Sequence, residues 1–553
     1  MESKAVRKYA LQNAVLHGGK ANPMAVVGKV LAEDPSLKPR IRQVSEEIRA
    51  AVDDVNRLTP EQQRAELEQL APELLEKPKP GKASELPPLP NVGERIVMRL
   101  APYPSGPLHI GNARMVLLND EYVKRYKGTL ILMFDDTIGS EEKFILPEAY
   151  DQIREGLDWL GVEYHDVLYK SDRLPLFYEW AGKLIDKGHA YVCECPYTRL
   201  RDLREKKQEC VHRDRTVEDN MAKWREMLGG GFKEGEAVLR IKTRMDYPDP
   251  AFRDRVLLRV SDREHPRVGK KHRVWPLLEF SWAVDDYLLG VTHVLRGKDL
   301  TIEDDMETAI WEKLSVERRP AFLHYGMLFF KEMELSKSKY RIAIQEGRIS
   351  GIDDPRTWTL QSLRRRGIRP EAVRSFILGL GLSLTDVEVP ADSLYSENRK
   401  LIDADAKRYF FVPSPVQIEI EGMPDIGEAR LASHPEFPEK GHRTLRVASK
   451  MYVSQEDFEN LKGTEVRLKD LCNIRLDTRS KFLSREVRDI PKIQWLAEGA
   501  PMKVVMPDGS VVEGLGENTL LEANRGDIVQ LERFGFARIG DIAPEVKAYF
   551  AHR

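Results

Sequence analysis

The chain has 553 residues, 41% of them apolar and 32% charged, and its 87 Lys and Arg are balanced by 89 Asp and Glu to a net charge of −2. Such a length predicts three or more domains of roughly 100–200 residues each. The charge balance excludes a polycation but leaves room for local basic patches, and no apolar run reaches the ~20 residues that a bilayer span needs. Four cysteines are too few to staple a chain this long. With no signal-peptide pattern at the start, the expectation is a soluble cytoplasmic protein that does not bind a membrane.

In chain order, residues 1–76 are rich in Ala, Glu, Arg and Leu and predict a helical N-terminal extension. Residues 77–91 carry a run of prolines, from Lys77-Pro78-Lys79-Pro80 to Pro87-Pro88-Leu89-Pro90, and predict an extended linker. Residues 92–189 open with the β-branched strand Arg95–Leu100, followed by a Pro- and Gly-rich loop. A helix comes next, with Met115, Leu118, Tyr122 and Tyr126 on one stripe. A second strand, Thr129–Phe134, ends at Asp135-Asp136. Strand, loop, helix and strand in this order form a βαβ unit, the signature of a parallel sheet.

Residues 190–279 break the alternation and predict an inserted module. The α/β pattern resumes over 280–345, and 346–394 predict helices. Residues 395–553 hold short β-branched runs, among them Val416–Glu421, Arg443–Val447 and Lys503–Met506, and predict β-barrel or sandwich material. Basic clusters occur at Arg199 to Lys207, at Lys270, Lys271 and Arg273, and at Arg364, Arg365 and Arg366. On charge alone these runs read as solvated faces.

A loop that enters a helix N-terminus presents backbone N–H groups and the positive end of the helix dipole to an anion. Pro104, Ser105, Gly106, His109 and Gly111 supply such a loop, with His109 as a hydrogen-bond donor to phosphate and Gly111 leaving space for a nucleotide. Pro104-Ser105-Gly106-Pro107-Leu108-His109-Ile110-Gly111-Asn112 resembles the first signature of the class I aminoacyl-tRNA synthetases, and in particular the archaeal form of the glutamyl/glutaminyl branch. The family signature ends in histidine, where this chain has Asn112. Glu334-Leu335-Ser336-Lys337-Ser338 resembles the second signature, with Glu334 in place of its first lysine. The resemblance implies a Rossmann-like catalytic domain that uses ATP with Mg²⁺. His109, Asn112 and Lys337 would be catalytic. Pro104, Ser105, Gly106, Gly111, Ser336 and Ser338 would join His109 and Lys337 at ATP, with Glu334 pointing away from pyrophosphate.

The same resemblance assigns the amino-acid site. Arg99 would meet a substrate carboxylate and Asp135 the α-ammonium. Arg296, within Thr292-His293-Val294-Leu295-Arg296-Gly297, matches the arginine that faces the side-chain carboxylate in glutamyl enzymes. An arginine left facing a neutral amide would be unpaired, at about 3–5 kcal/mol, so Arg296 favours glutamate over glutamine. Many relatives carry Tyr where this chain has Leu278, and an arginine where it has Met133.

Cys193, Cys195, Cys210 and His212 offer three thiols and an imidazole, the donor set of a closed tetrahedral zinc site. By resemblance, they lie in the module that grips the tRNA acceptor stem. The resemblance further implies a monomer that charges tRNA(Glu) with L-glutamate, leaves tRNA(Gln) open as a second substrate, and assigns the β-rich C-terminal part to the anticodon. A glutaminyl-tRNA synthetase and a non-catalytic tRNA-binding paralogue are the alternatives. Asn112, Glu334, Leu278 and Met133 favour the second of these.

Overall fold

The computed structural model describes residues 2–16, 19–33, 41–74, 86–139, 144–332 and 337–553. The chain divides into two compact units, Met1–Ser84 and Glu85–Arg553.

The first unit is helical. Helices α1 (Glu2–Leu16), α2 (Pro23–Glu33), α3 (Ile41–Val55) and α4 (Pro60–Leu70) pack around Ala10, Leu11, Val26, Ile48, Val52 and Leu67. Helix α4 starts where Thr59 accepts from the Gln62 N–H and Gln62 accepts from the Thr59 N–H, with Pro60 at the first helical position.

The second unit begins with a correction. Most of the expected linker, to residue 85, lies outside the described residues, but 86–91 do not form a free spacer. Leu86 and Leu89 are buried in the main core. The Pro87 carbonyl accepts from Tyr122 Oη at 2.9 Å and the Pro90 carbonyl meets His293 Nε2 at 2.7 Å. A proline-rich strand lacks ladder partners, so side chains satisfy its carbonyls and strap it to the domain.

The expected βαβ unit is present as β1 (Val97–Leu100), α5 (Ile110–Tyr126) and β2 (Thr129–Phe134). Strand β2 pairs in parallel with both β1 and β3 (Asp166–Tyr169), and α6 (Ala149–Trp159) crosses between β2 and β3. Helix α7 (Leu174–Asp186) follows β3. The inserted module is an antiparallel sheet of β4 (Ala190–Cys193), β5 (Val238–Ile241), β6 (Val256–Val260) and β7 (Val274–Pro276), with α8 (Tyr197–Glu205) and α9 (Val217–Leu228) between β4 and β5. The parallel pattern returns with α10 (Leu278–Leu288), β8 (His293–Gly297), α11 (Thr301–Leu314) and β9 (Ala321–Tyr325). The expected boundary after residue 279 therefore falls in the first turn of α10. Thr292 joins the two halves: its N–H and hydroxyl both donate to the Val97 carbonyl, at 2.9 and 3.1 Å. The three-stranded sheet β3-β2-β1 and the pair β8-β9 thus meet at β1 and β8, where the winding order reverses. In such sheets that reversal opens a ligand crevice at the carboxyl ends of the strands.

Beyond β9 come β10 (Leu328–Phe330), α12 (Lys337–Gln345), α13 (Leu360–Arg366), α14 (Pro370–Gly379), β11 (Val387–Val389) and α15 (Asp392–Ile402). The expected boundary after residue 394 falls inside α15, whose apolar face (Leu394, Ile402) is buried; the β-rich region starts at Lys407. It contains a six-stranded sheet between Pro415 and Ile493. A seven-stranded sheet combines Lys407–Tyr409 and Phe411–Pro413 with five strands from Ala500 to His552. Arg366 corrects the reading of its basic run as a solvated face. It is fully buried, and its guanidinium donates to the Phe550 and Ala551 carbonyls at 3.3 and 2.7 Å. Among the described residues no helix is long and apolar enough to cross a membrane.

Candidate active site and metal centre

All four residues of β1 are buried, so Arg99 enters the core and needs a partner there. Asp286 of α10 provides it through two hydrogen bonds of 2.6 and 2.8 Å. Asp135 follows the last residue of β2 and pairs with the buried Lys170 at 3.1 Å. Lys170, just past β3, also donates to Ser281 Oγ at 2.6 Å. Arg296 on β8 engages Asp304 through Nε at 3.1 Å and Glu307 through Nη1 at 2.7 Å, both on α11. These groups stand at the carboxyl ends of β1, β2, β3 and β8, around the reversal point. The structure thus brings together the three residues expected to hold glutamate.

It also corrects the reasoning about Arg296. The penalty invoked against glutamine assumed a lone guanidinium, whereas this one already holds hydrogen bonds to two acidic side chains of its own chain, Asp304 and Glu307. The cost of an unpaired charge therefore does not arise.

Sequence reasoning missed Trp282. Its indole packs against three cations, with Arg99 Cζ 5.1 Å, Lys170 Nζ 5.2 Å and Arg296 Cζ 5.0 Å from the ring centroid. A π-face attracts cations and orders their side chains. Burial dominates the acids here. It pushes the Asp285 carboxyl up to about 6 despite Arg173 and Lys170, and that of Glu307 up to about 8 despite Arg296.

The first signature forms the start of α5. His109 is its N-cap, and its Nδ1 accepts the Gly111 N–H at 3.1 Å. That bond leaves the proton on Nε2, the tautomer needed to donate to a phosphate oxygen. Asn112 Oδ1 accepts the His109 N–H at 3.2 Å. The asparagine at the variant position thus closes the cap that orients His109. Pro104 is buried, and Gly106 adopts φ +148°, which favours glycine. A cavity of about 380 Å³ has Ser105, Gly106, Pro107 and His109 on one wall and Tyr340 and Arg341 of α12 on another. Glu334 and Ser336 lie outside the described residues. Lys337 and Ser338 are the first two residues of α12. Leu278 opens α10, and Met133 is buried in β2.

Cys193, Cys195, Cys210 and His212 form one cluster whose ligand atoms lie within 4.8 Å of one another. The Sγ atoms of Cys193 and Cys195 are each 3.4 Å from that of Cys210, and His212 Nδ1 is 3.1–3.7 Å from the three sulfurs. A zinc tetrahedron with bonds of about 2.3 Å to sulfur and 2.0 Å to nitrogen has edges of roughly 3.5–3.8 Å, so the donors fit in kind and nearly in spacing. Arg240, buried beside them with Nη1 3.9 Å from Cys193 Sγ, would offset the net negative charge of three thiolates on a divalent ion.

Residues 95–404 match the family described as tRNA synthetases class I (E and Q), catalytic domain; 406–490 and 492–540 match its two anti-codon binding domains. The chain belongs to this family of class I aminoacyl-tRNA synthetases. Full-length relatives agree. The chain is 45% identical to a glutamate–tRNA ligase of Pyrococcus abyssi, over 99% of each protein. It is 42% identical to one of Methanothermobacter marburgensis, over 100% of each, and 43% to one of Pyrococcus furiosus, over 100% of this chain and 99% of that protein. The sheets over 406–540 fall in the residues that match the anti-codon binding domains. The matched boundary between 404 and 406 agrees with the end of α15.

Proposed function

We propose that this protein is a glutamate–tRNA ligase. It activates L-glutamate with ATP and Mg²⁺, then passes the glutamyl group to the 3′ end of tRNA(Glu), releasing AMP and pyrophosphate. The reading is carried by the convergence of Arg99, Arg296 and Lys170, the partner of Asp135, around Trp282, with full-length similarity to glutamate–tRNA ligases behind it.

The substrate has two carboxylates and one ammonium, which the site complements with two guanidiniums and Asp135. Arg296 has five N–H donors and engages Asp304 and Glu307 with three of them, so its fork retains capacity for a substrate carboxylate. The glutamate α-carboxylate attacks the α-phosphorus of ATP, and pyrophosphate leaves as the P–O bond breaks. His109 Nε2–H and the α5 N-terminus stabilise charge on the phosphates, and Lys337, with Ser336 and Ser338, holds the leaving group.

In the inserted module, a cavity of about 540 Å³ is lined by Tyr197, Arg204, Arg255, Arg259 and Arg263. Tyr197 is exposed, and Arg204 is lowered from its ordinary pKa by burial and by the neighbouring Arg240 and Arg255. Crowded guanidiniums beside an exposed ring suit a single-stranded RNA end, phosphate on arginine and base on ring. Zinc on Cys193, Cys195, Cys210 and His212 would hold this module together. A monomer is the working unit in this reading.

The test is aminoacylation of whole tRNA with glutamate and with glutamine. Charging of tRNA(Glu) by glutamate is expected, and tRNA(Gln) tested in parallel shows whether the second acceptor is used. Charging with glutamine alone would reject the proposal. Cys193→Ala is expected to lose about one zinc per chain by elemental analysis; an unchanged zinc content removes that assignment.

A further inference from the structure

The segment 135–139 that carries Asp135 is held from outside its own sheet. The Asp136 carboxylate, fully buried, accepts from Tyr150 Oη at 3.0 Å, from the Ser171 N–H at 2.8 Å and from Ser171 Oγ at 2.7 Å. The backbone carbonyls of the segment are taken by the inserted module. His265 Nε2 lies 2.7 Å from the Asp136 carbonyl, Arg263 donates to the Gly139 carbonyl at 2.6 Å, and Arg259 reaches the Ile138 carbonyl at 3.5 Å. Arg267 completes the contact, donating to Ser171 Oγ at 2.8 Å and to Asp172 at 3.0 Å. All four come from the end of β6 and the turn toward β7.

The protonation of His265 follows from its partners. Nδ1 accepts the N–H groups of Arg267 and Val268, at 3.1 and 3.3 Å, so the proton is on Nε2 and points at the Asp136 carbonyl. The ring is buried and stacks on Trp275, 5.1 Å between centroids and 21° between planes. Burial lowers its pKa from the ordinary histidine value, against the pull of Asp136. One nitrogen thus closes the 265–269 turn of the inserted module, and the other fixes the peptide next to Asp135.

We propose that His265 is a positioning residue for the amino-acid site, through which the inserted module sets the direction of Asp135. The proposal rests on the reading of Asp135 as the ammonium ligand. Freeing the Asp136 carbonyl lets the 135–137 backbone turn, and the Asp135 carboxylate then leaves its place beside Lys170. Glutamate binding suffers, while the ATP loop on α5 keeps its own cap.

His265→Asn and His265→Gln separate the two nitrogens in the full-length protein. The Asn amide occupies the Nδ1 place and keeps the turn without the reach to Asp136. The Gln amide reaches the Nε2 place and keeps the bond to Asp136. In tRNA charging, His265→Asn is expected to raise KM for glutamate about tenfold, the worth of one buried hydrogen bond. KM for ATP should stay unchanged, and His265→Gln should stay near the parent. Asp135→Asn is the control, and is expected to raise KM for glutamate at least as much. If Asp135→Asn raises it and His265→Asn does not, or if His265→Gln is the worse of the two, His265 only shapes its turn and the proposal fails. If Asp135→Asn leaves it unchanged, the ammonium reading falls and the proposal with it.

Discussion

Glu307 makes the net charge around Arg296 depend on pH, because the carboxyl titrates and the guanidinium does not. Burial raises this carboxyl to about 8, against the pull of Arg296. Below that pH it is largely neutral, which leaves more of the Arg296 charge to a substrate carboxylate. Above it, Glu307 ionises and competes with that carboxylate. KM for glutamate is therefore expected to rise between pH 7 and 9 in steady-state charging assays. Glu307→Gln, neutral at every pH, should flatten the rise; a slope that survives the substitution would sever the link. Arg99, Asp135 and Arg296 were readable as candidates because a family motif marks each one locally. Lys170, Trp282 and Glu307 were not, since nothing in their own neighbourhoods says that they meet.

At the scale of the element, α5 is fixed at both of its ends. Asn112 serves its N-cap, so Asn112→Ala is expected to cost about 1 kcal/mol of stability and to raise KM for ATP, because the same bond orients His109. Denaturant unfolding and charging kinetics measure the two effects, and a stability loss with KM for ATP unmoved would confine Asn112 to capping. At the other end, Lys127 takes φ +51° and Gly128 turns the chain into β2. A Cβ on Gly128 would lie 2.7 Å from the Ile96 carbonyl oxygen, so Gly128→Ala should destabilise by about 1–3 kcal/mol, read as a lower denaturant midpoint. The helix was legible from its apolar stripe and the strand from its β-branched run, since both periods are local. The 86–91 strap was not, because a proline-rich stretch reads the same whether it is solvated or pinned by Tyr122 and His293.

At the scale of the molecule, Arg366 ties α13 to the last β-strand. Its contacts to Phe550, Ala551 and Tyr395 join the catalytic end of the second unit to the anticodon-binding sheets. Arg366→Met removes buried hydrogen bonds to the Phe550 and Ala551 carbonyls and to Tyr395 and is expected to cost about 2–4 kcal/mol. The expected readout is a lower melting temperature, with KM for glutamate held because the amino-acid site is untouched. A parental melting temperature would show the contact to be dispensable. From sequence, Arg364 to Arg366 form one basic run. In the fold, Arg364 is exposed, Arg365 stacks on Tyr549 at 4.5 Å and Arg366 is buried.

By itself the sequence determined the order of helices and strands, the turn into a helix at His109, the donor set at Cys193 to His212 and the family to which these belong. Each is written in neighbouring residues, in a hydrophobic period, a glycine or a ligand spacing. Only the tertiary structure decided which charges meet. Arg296 lies eight and eleven residues from its partners Asp304 and Glu307, Arg99 is 187 from Asp286, and His265 is 129 from Asp136. A buried ion pair depends on where two elements pack and how little water lies between them, and packing is a property of the assembled sheet, not of any one segment.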